Sequence, residues 1–245
     1  MPANERCKMK IINATGLDFK ELNEEIRKTD EAEIIGLEGQ RYIGGGTEGK
    51  KLYLCGFSGN GLGSFMNGGE IIVYGNAQDQ ICDTMNDGIV VVHGSAGDAA
   101  GYAMRGGEIY IEGKVGYRAG IHMKEYGDKK PVIVVGENAG SFLGEYQAGG
   151  LIVVLNLKNA SPVGFFCGTG MHGGKIFLRT EEEPVNISPK VNVSKADKND
   201  LKEIKKYVTK FAELFKKDVN SLLNSTFYVL TPDSNNPYKE LYIQN

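Results

Sequence analysis

Four aspartates, Asp79, Asp83, Asp87 and Asp98, fall close together in the chain, with Arg105 and Arg118 near them. Carboxylates that converge in a groove can share general acid and general base duties on a polysaccharide. The same residues have a plainer use as solvated corner residues or turn formers, because an aspartate side chain readily bonds nearby backbone. The three histidines, His93, His122 and His172, have no second histidine or carboxylate at the helical spacing that a metal site favours. Cys7, Cys55, Cys82 and Cys167 are widely and unevenly spaced, with no CxxC pair, and read as reduced thiols without an activating neighbour. No GxSxG elbow is present to expose a nucleophilic serine. The run Gly59-Asn60-Gly61-Leu62-Gly63 has the glycine density of a phosphate loop. Dinucleotide loops, however, join a strand to a helix, and here another strand follows.

What positions all of these residues is a repeat. Gly56, Gly75, Gly94 and Gly113 are 19 residues apart, as are Met66, Met85, Met104 and Met123. A short strand-like run precedes each glycine: Leu52 to Cys55, Ile71 to Tyr74, Val90 to His93 and Ile109 to Glu112. Their first and third places are aliphatic, while the second and fourth admit Tyr, His, Glu and Cys, so one face is buried with period two. GxxGxxxG recurs at Gly56, Gly94 and Gly113, with Gln78 and Cys82 departing from it in the second unit. Lys124 to Lys130 stretches one period, after which Pro131 to Gly150 and Gly164 to Arg179 resume the pattern.

A 19-residue unit is too short for a strand, a covering helix and two loops, so successive strands must pair directly. The expected fold is an all-β solenoid, a right-handed parallel β-helix of roughly seven turns, with Ala32 to Glu38 as its first strand. Glycine then serves positive φ at corners and close backbone approach. Methionines at one phase form an internal ladder, a use suited to adaptable apolar side chains. Residues 1–30 are expected to cap one end, with a short helix begun by Asp18 and Glu21 in a capping box. The β-helix takes 31–180. Residues 181–245 form a connector, an amphipathic helical segment from Asp200 to about Asn224, and a tail, packed on or beside the solenoid.

Composition agrees with this. Of 245 residues, 34 are glycine and only 7 proline, which suits neither collagen nor a flexible linker. With 28 basic and 31 acidic residues the net charge of -3 gives no reason to expect nucleic acid or an anionic membrane as partner. No stretch has the apolar length of a membrane span, the amino terminus lacks the apolar region of a signal peptide, and a cytoplasmic location is expected.

The segments Gly56 to Phe65, Asn67 to Gly75, Gly116 to Met123 and Gly136 to Leu155, and the tail Phe227 to Tyr238 with Pro232 and Pro237, resemble the GXGXG β-helix domain of the glutamate synthase large subunit. The resemblance covers nearly the whole chain. It implies a freestanding structural subunit that bridges a glutaminase and a synthase component, with no catalytic, cofactor-binding or metal-binding residue of its own. FMN and iron-sulfur clusters would sit on the synthase partner, and the glutaminase would release ammonia. Self-association into a homo-oligomer is left open. Formylmethanofuran dehydrogenase, a molybdenum or tungsten enzyme, has a subunit that carries the same repeats, and a scaffold of that enzyme is the rival reading. The segment Gly116 to Met123, the insertion after it and the proline-containing tail favour glutamate synthase. A solenoid polysaccharide hydrolase or lyase is the third reading, recognisable by carboxylates converging in an open groove.

Overall fold

The computed structural model describes residues 9–234. In chain order the elements are β1 (Lys10–Asn13), α1 (Phe19–Arg27), β2 (Glu31–Glu38), β3 (Lys50–Phe57), β4 (Asn67–Tyr74), β5 (Asp87–Val92), β6 (Glu108–Ile111), β7 (Val132–Val135), β8 (Ala148–Val154), β9 (Gly173–Arg179), β10 (Val191–Lys195), α2 (Lys198–Leu214), α3 (Val219–Leu223) and β11 (Phe227–Pro232). Strands β1 to β9 pair in sequence order, all parallel, and make a solenoid of about eight turns. The register links Lys51, Glu70, Ile89 and Glu108 at the 19-residue step. It then links Glu108 to Val132 and Leu151 to Lys175 across longer turns. Both insertions leave the coil and return to it in phase.

The count exceeds the seven turns read from the repeat because Lys10–Asn13 pairs with β2 as a further strand. That strand lacks the glycine signature and could not be read from the repeat. The carboxyl-terminal part also differs from expectation. Val191–Lys195 and Phe227–Pro232 are strands, with β11 inserted antiparallel between β9 and β10. Pro237 and Tyr238 of the tail lie outside the described residues.

The two inward rows of the strands are aliphatic in every turn. Leu52, Ile71, Val90, Ile109, Ile133, Ile152 and Ile176 form one, and Leu54, Val73, Val92, Ile111, Val135, Val154 and Leu178 the other, all fully buried. Met66, Met85, Met104 and Met123 are likewise fully buried in one core cluster. The ladder begins at Thr47, one period before Met66, and continues through Gln147 to Met171. Gln147 is fully buried, donates from Nε2 to the carbonyls of Gly149 and Gly150 at 3.1 Å each, and leaves Oε1 without a protein partner.

The corner before each methionine position carries a regularity that the sequence does not display. Residues i, i+2 and i+4 of a pentad all have positive φ: 42, 44 and 46; 61, 63 and 65; 80, 82 and 84; 99, 101 and 103; 118, 120 and 122; 142, 144 and 146; 166, 168 and 170. The buried residue between the first two is Ile43, Leu62, Ile81, Ala100, Ala119, Leu143 or Cys167. The alternation lets the backbone bond in both directions along the coil. Gly61 N–H donates forward to Asp79 O at 3.0 Å, Gly63 N–H back to Ile43 O at 2.9 Å, and Phe65 N–H forward to Asp83 O at 2.8 Å. The next turns repeat this, as in Cys82 N–H to Leu62 O and Gly101 N–H to Ile81 O. Single parallel bridges running from Ser58 through Ala77, Ala96, Val115 and Ala139 to Val163 give the coil a second line of pairing.

The ends are closed by side chains and helices. Asp18 accepts from Lys20 N and Glu21 N while Glu21 accepts from Asp18 N, the capping box that starts α1. In the first pentad no earlier turn exists to accept from Gly44 N–H, and Asn23 Oδ1 of α1 takes that bond at 3.1 Å. Helix α2 lays Ile204, Val208, Phe211 and its C-cap Phe215 on the outer face of the sheet, burying Val91, Tyr110, Val134, Val153 and Phe177. The outward row is therefore solvent-facing only in part, because the helical segment occupies it from β5 onward.

Met85→Asp places a carboxylate among apolar ladder neighbours and should cost about 3 kcal/mol or more, read from urea unfolding. Gly101 has φ +70°, and a Cβ there would come 2.6 Å from Ile133 Cδ1, whereas Gly127, φ +59°, meets nothing within 4 Å. Gly101→Ala should therefore destabilise by at least about 2 kcal/mol and Gly127→Ala by about 1 kcal/mol; equal midpoints would refute the packing argument.

Candidate functional site

The aspartates raised as acid–base candidates occupy three different places in the turn. Asp79 and Asp98 share one phase and bracket neighbouring turns, Asp79 Oδ1 accepting from Asp98 N–H at 2.9 Å and Asp98 Oδ1 from Tyr117 N–H at 2.8 Å. Asn60 Oδ1 begins this ladder by accepting from Asp79 N–H at 3.3 Å. The Asp79 carboxylate fills the space where a Cβ on Gly97 would stand, and Asp98 does the same at Gly116. The middle glycine of GxxGxxxG in these two turns thus makes room for the previous turn's carboxylate. Asp83 accepts instead from Thr84 Oγ1 at 2.8 Å. Asp87 pairs with Lys129 of the insertion at 3.0 Å, and that ammonium holds its carboxyl below the ordinary value.

The arginines are engaged as well. Arg105 Nε donates to Ala103 O at 3.0 Å. Arg118 Nε donates to Glu145 Oε2 at 3.0 Å, and its guanidinium lies 4.6 Å from the Phe142 ring centre, a cation–π contact. Phe142 stacks on Phe166 with centres 5.1 Å apart, and His122 stacks on Tyr146 at the same separation, 9° from parallel. The outward pentad side chains of the later turns therefore form two short ring stacks along one corner.

His93 is stacked on Tyr74 at 5.3 Å and meets the edge of Phe215 at 5.1 Å, with Glu112 Oε2 3.9 Å from Nδ1. His172 Nδ1 lies 3.0 Å from Gly170 O. Among the described residues no group of three or more His, Cys, Asp or Glu side chains is placed to hold a metal ion. In Gly59 to Gly63, the N–H groups of Gly59, Gly61 and Gly63 all donate to backbone carbonyls of adjacent turns, so the loop turns them toward its neighbours and away from any phosphate. The mostly apolar cleft of about 580 Å³ between α1 and the first two corners is walled by Phe19, Tyr42 and Phe65.

Burial pushes the thiols of Cys82 and Cys167 up, the latter to about 12. Cys55 is partly exposed, and burial and the nearby Glu33 carboxylate raise it as well. Cys7 lies outside the described residues. In a Cys7→Ser background a disulfide reagent should label Cys55 alone, and slowly at neutral pH; Cys82 and Cys167 should react only after denaturant is added.

Two kinds of similarity accompany this geometry. Over 249 aligned residues the chain is 44% identical to an uncharacterized protein of Methanocaldococcus jannaschii, covering 95% of each. A solved structure, that of the formyltransferase/hydrolase complex FhcABCD from Methylorubrum extorquens with methylofuran, contains a chain that superposes with a TM-score of 0.64. Identity there is 18%, over 94% of this chain and 93% of that one, so the likeness is one of fold. No helix among the described residues is long and apolar enough to cross a membrane. The GXGXG motif model matches residues 5–232, a span that includes the pentads, the strands and their cover, and the chain belongs to the GXGXG motif family.

Proposed function

We propose that this chain is a non-catalytic scaffold subunit of a multi-subunit glutamate synthase, placed between a glutaminase and an FMN and iron-sulfur synthase component. The observation that carries the scaffold reading is how the repeated residues are used. Asp79, Asp98, the pentad glycines and the methionine ladder all make contacts within the coil, which stiffens it and leaves its surfaces as the part available to others. A rigid, flat-sided body of stacked turns is well suited to hold two catalytic subunits at a fixed separation. The choice of glutamate synthase rests on the segment Gly116 to Met123, the insertion Lys124 to Lys130 after it and the proline-containing tail. In the structure the first of these is a pentad with its ladder methionine, and the second ends in the small hairpin Tyr126 to Lys129.

A second reading is favoured by one finding, the superposition on a chain of a formyltransferase/hydrolase complex. On that reading the chain is the repeat-bearing scaffold of a formylmethanofuran dehydrogenase. The two differ in their partners and in nothing that the coil itself must do.

Affinity purification of the tagged chain from its native cell, followed by mass spectrometry and metal analysis, separates them. The glutamate synthase reading expects a glutaminase-type amidotransferase and an FMN protein in fixed stoichiometry, and no activity from the chain alone. A molybdenum or tungsten protein in their place would transfer the assignment to the second reading. Recovery of the chain without any stoichiometric partner would defeat both.

A further inference from the structure

An all-parallel sheet is found almost only with both faces covered. Here the inner face is core from β1 to β9, whereas among the described residues α2 and α3 cover the outer face from β5 onward, with the partly buried Ile72 of β4 at the edge of that cover. Length explains the shortfall. Helix α2 has 17 residues, about 26 Å at the helical rise, against roughly 38 Å for nine strands at sheet spacing.

The part that the described residues leave uncovered continues the same outward rows. Val91 under α2 leads in register through Ile72, at the edge of the cover, to Tyr53. His93, in contact with Phe215 at the end of α2, is followed outward by Tyr74, whose ring stacks on it at 5.3 Å. Tyr74 is 51% exposed, Phe57 44% and Ile35 37%, an apolar surface that single turns of a solvated sheet would not need. Its charge is also one-sided, with Glu31, Glu33 and Glu70 beside Lys51, which pairs with Glu70 at 3.3 Å, while the other lysine of β3, Lys50, is turned to Asp30 and the carbonyls of Arg27 and Thr29.

The chain shows what kind of element fits such a face. On the covered half, α2 combines an apolar stripe with lysines that reach sheet carboxylates. Lys210 bonds Glu108 Oε2 at 2.8 Å, and Lys217, just beyond the helix, bonds Glu112 Oε1 at 2.9 Å. Glu70 stands two strands before Glu108 in the same row. We propose that the outer face of β2 to β4 receives an amphipathic, lysine-bearing helix of a partner protein, laid across the sheet as α2 lies across β5 to β9. This rests on the chain being part of an assembly, and it locates one contact of that assembly.

The test places photo-cross-linking benzoylphenylalanine at Phe57 or Tyr74 of the full chain in its native cell, with Tyr126, 70% exposed on the insertion, as control. Cross-links from both face positions should reach one segment of a stoichiometric partner, with apolar residues at helical spacing and lysines beside them. Glu33→Lys combined with Glu70→Lys should lower their yield at least about fivefold with thermal unfolding unchanged. Cross-links to a second copy of this chain would overturn the proposal, as would a target segment without that pattern or a yield the charge reversals leave intact. A stoichiometric complex contacted from Tyr126 but from neither face position defeats this proposal alone, whereas a chain without partners defeats the assembly reading along with it.

Discussion

The coil depends on backbone at positive φ on alternate residues of the corner that precedes the ladder position in each turn. A left-handed residue other than glycine costs about 1 kcal/mol, and 12 of the 21 pentad positions are not glycine. The summed cost, of order 10 kcal/mol, is comparable with the whole stability of a typical domain. It is tolerated because the alternation turns successive N–H groups toward opposite neighbours, so that each corner is bonded on both sides as a strand is. A corner of ordinary turns would leave buried donors without partners, at a cost of about 1–3 kcal/mol each. The strain is local, and the bonding it permits extends the length of the molecule.

Everything inside the coil follows from that corner. The residue between the first two left-handed ones points inward, which is why positions such as Ile81 and Leu143 are apolar. The middle left-handed residue faces the strand rows, so a side chain there competes with Ile133 or Ile152 for volume. Cys82 is the exception and fits because its turn has small neighbours: the place of its Cβ in the preceding turn is taken by Gly63, whose own Cβ position would lie 3.6 Å from the Cys82 sulfur. Where the coil runs out at its first turn, Asn23 supplies from a helix the carbonyl that a preceding turn would have provided. The cap is thus a chemical substitute for a missing turn as well as an apolar cover.

The period, the inward rows and the methionine ladder were legible in the sequence because each repeats a side-chain type at a fixed step. The left-handed corners were only half legible. Gly63, Gly101 and Gly120 announce the middle position, but Arg118 and Phe142 carry no sign of their backbone, since what holds them there is bonding to the next turn, at Ser141 O and Phe165 O. Strands β1, β10 and β11 were missed for the same reason, having nothing in the repeat to align with. The candidate carboxylates could be placed near corners from sequence, but whether Asp79 faced a substrate or the next turn's N–H depended on the stacking of whole turns. The matching absence of a side chain at Gly97 was the available clue, because a glycine one turn after an aspartate leaves room for its carboxylate.

A repeat protein of this kind separates two tasks, joining its turns and presenting a surface. Its polar residues at fixed phases are committed to joining turns, and a substitution there is felt along the coil. Its differences between turns lie on the outside: the hairpin at Lys124 to Lys130, the ring stacks at Arg118 and His122, and the shift from a helix-covered to an open sheet between β5 and β4. Specific recognition has to come from what varies along the coil, since what repeats presents the same surface at every turn. The sheet face is the strongest of these variations. Its inner rows are aliphatic from end to end, so the change from cover to exposure lies wholly on the outer side, where the apolar stripe of α2 comes to its end.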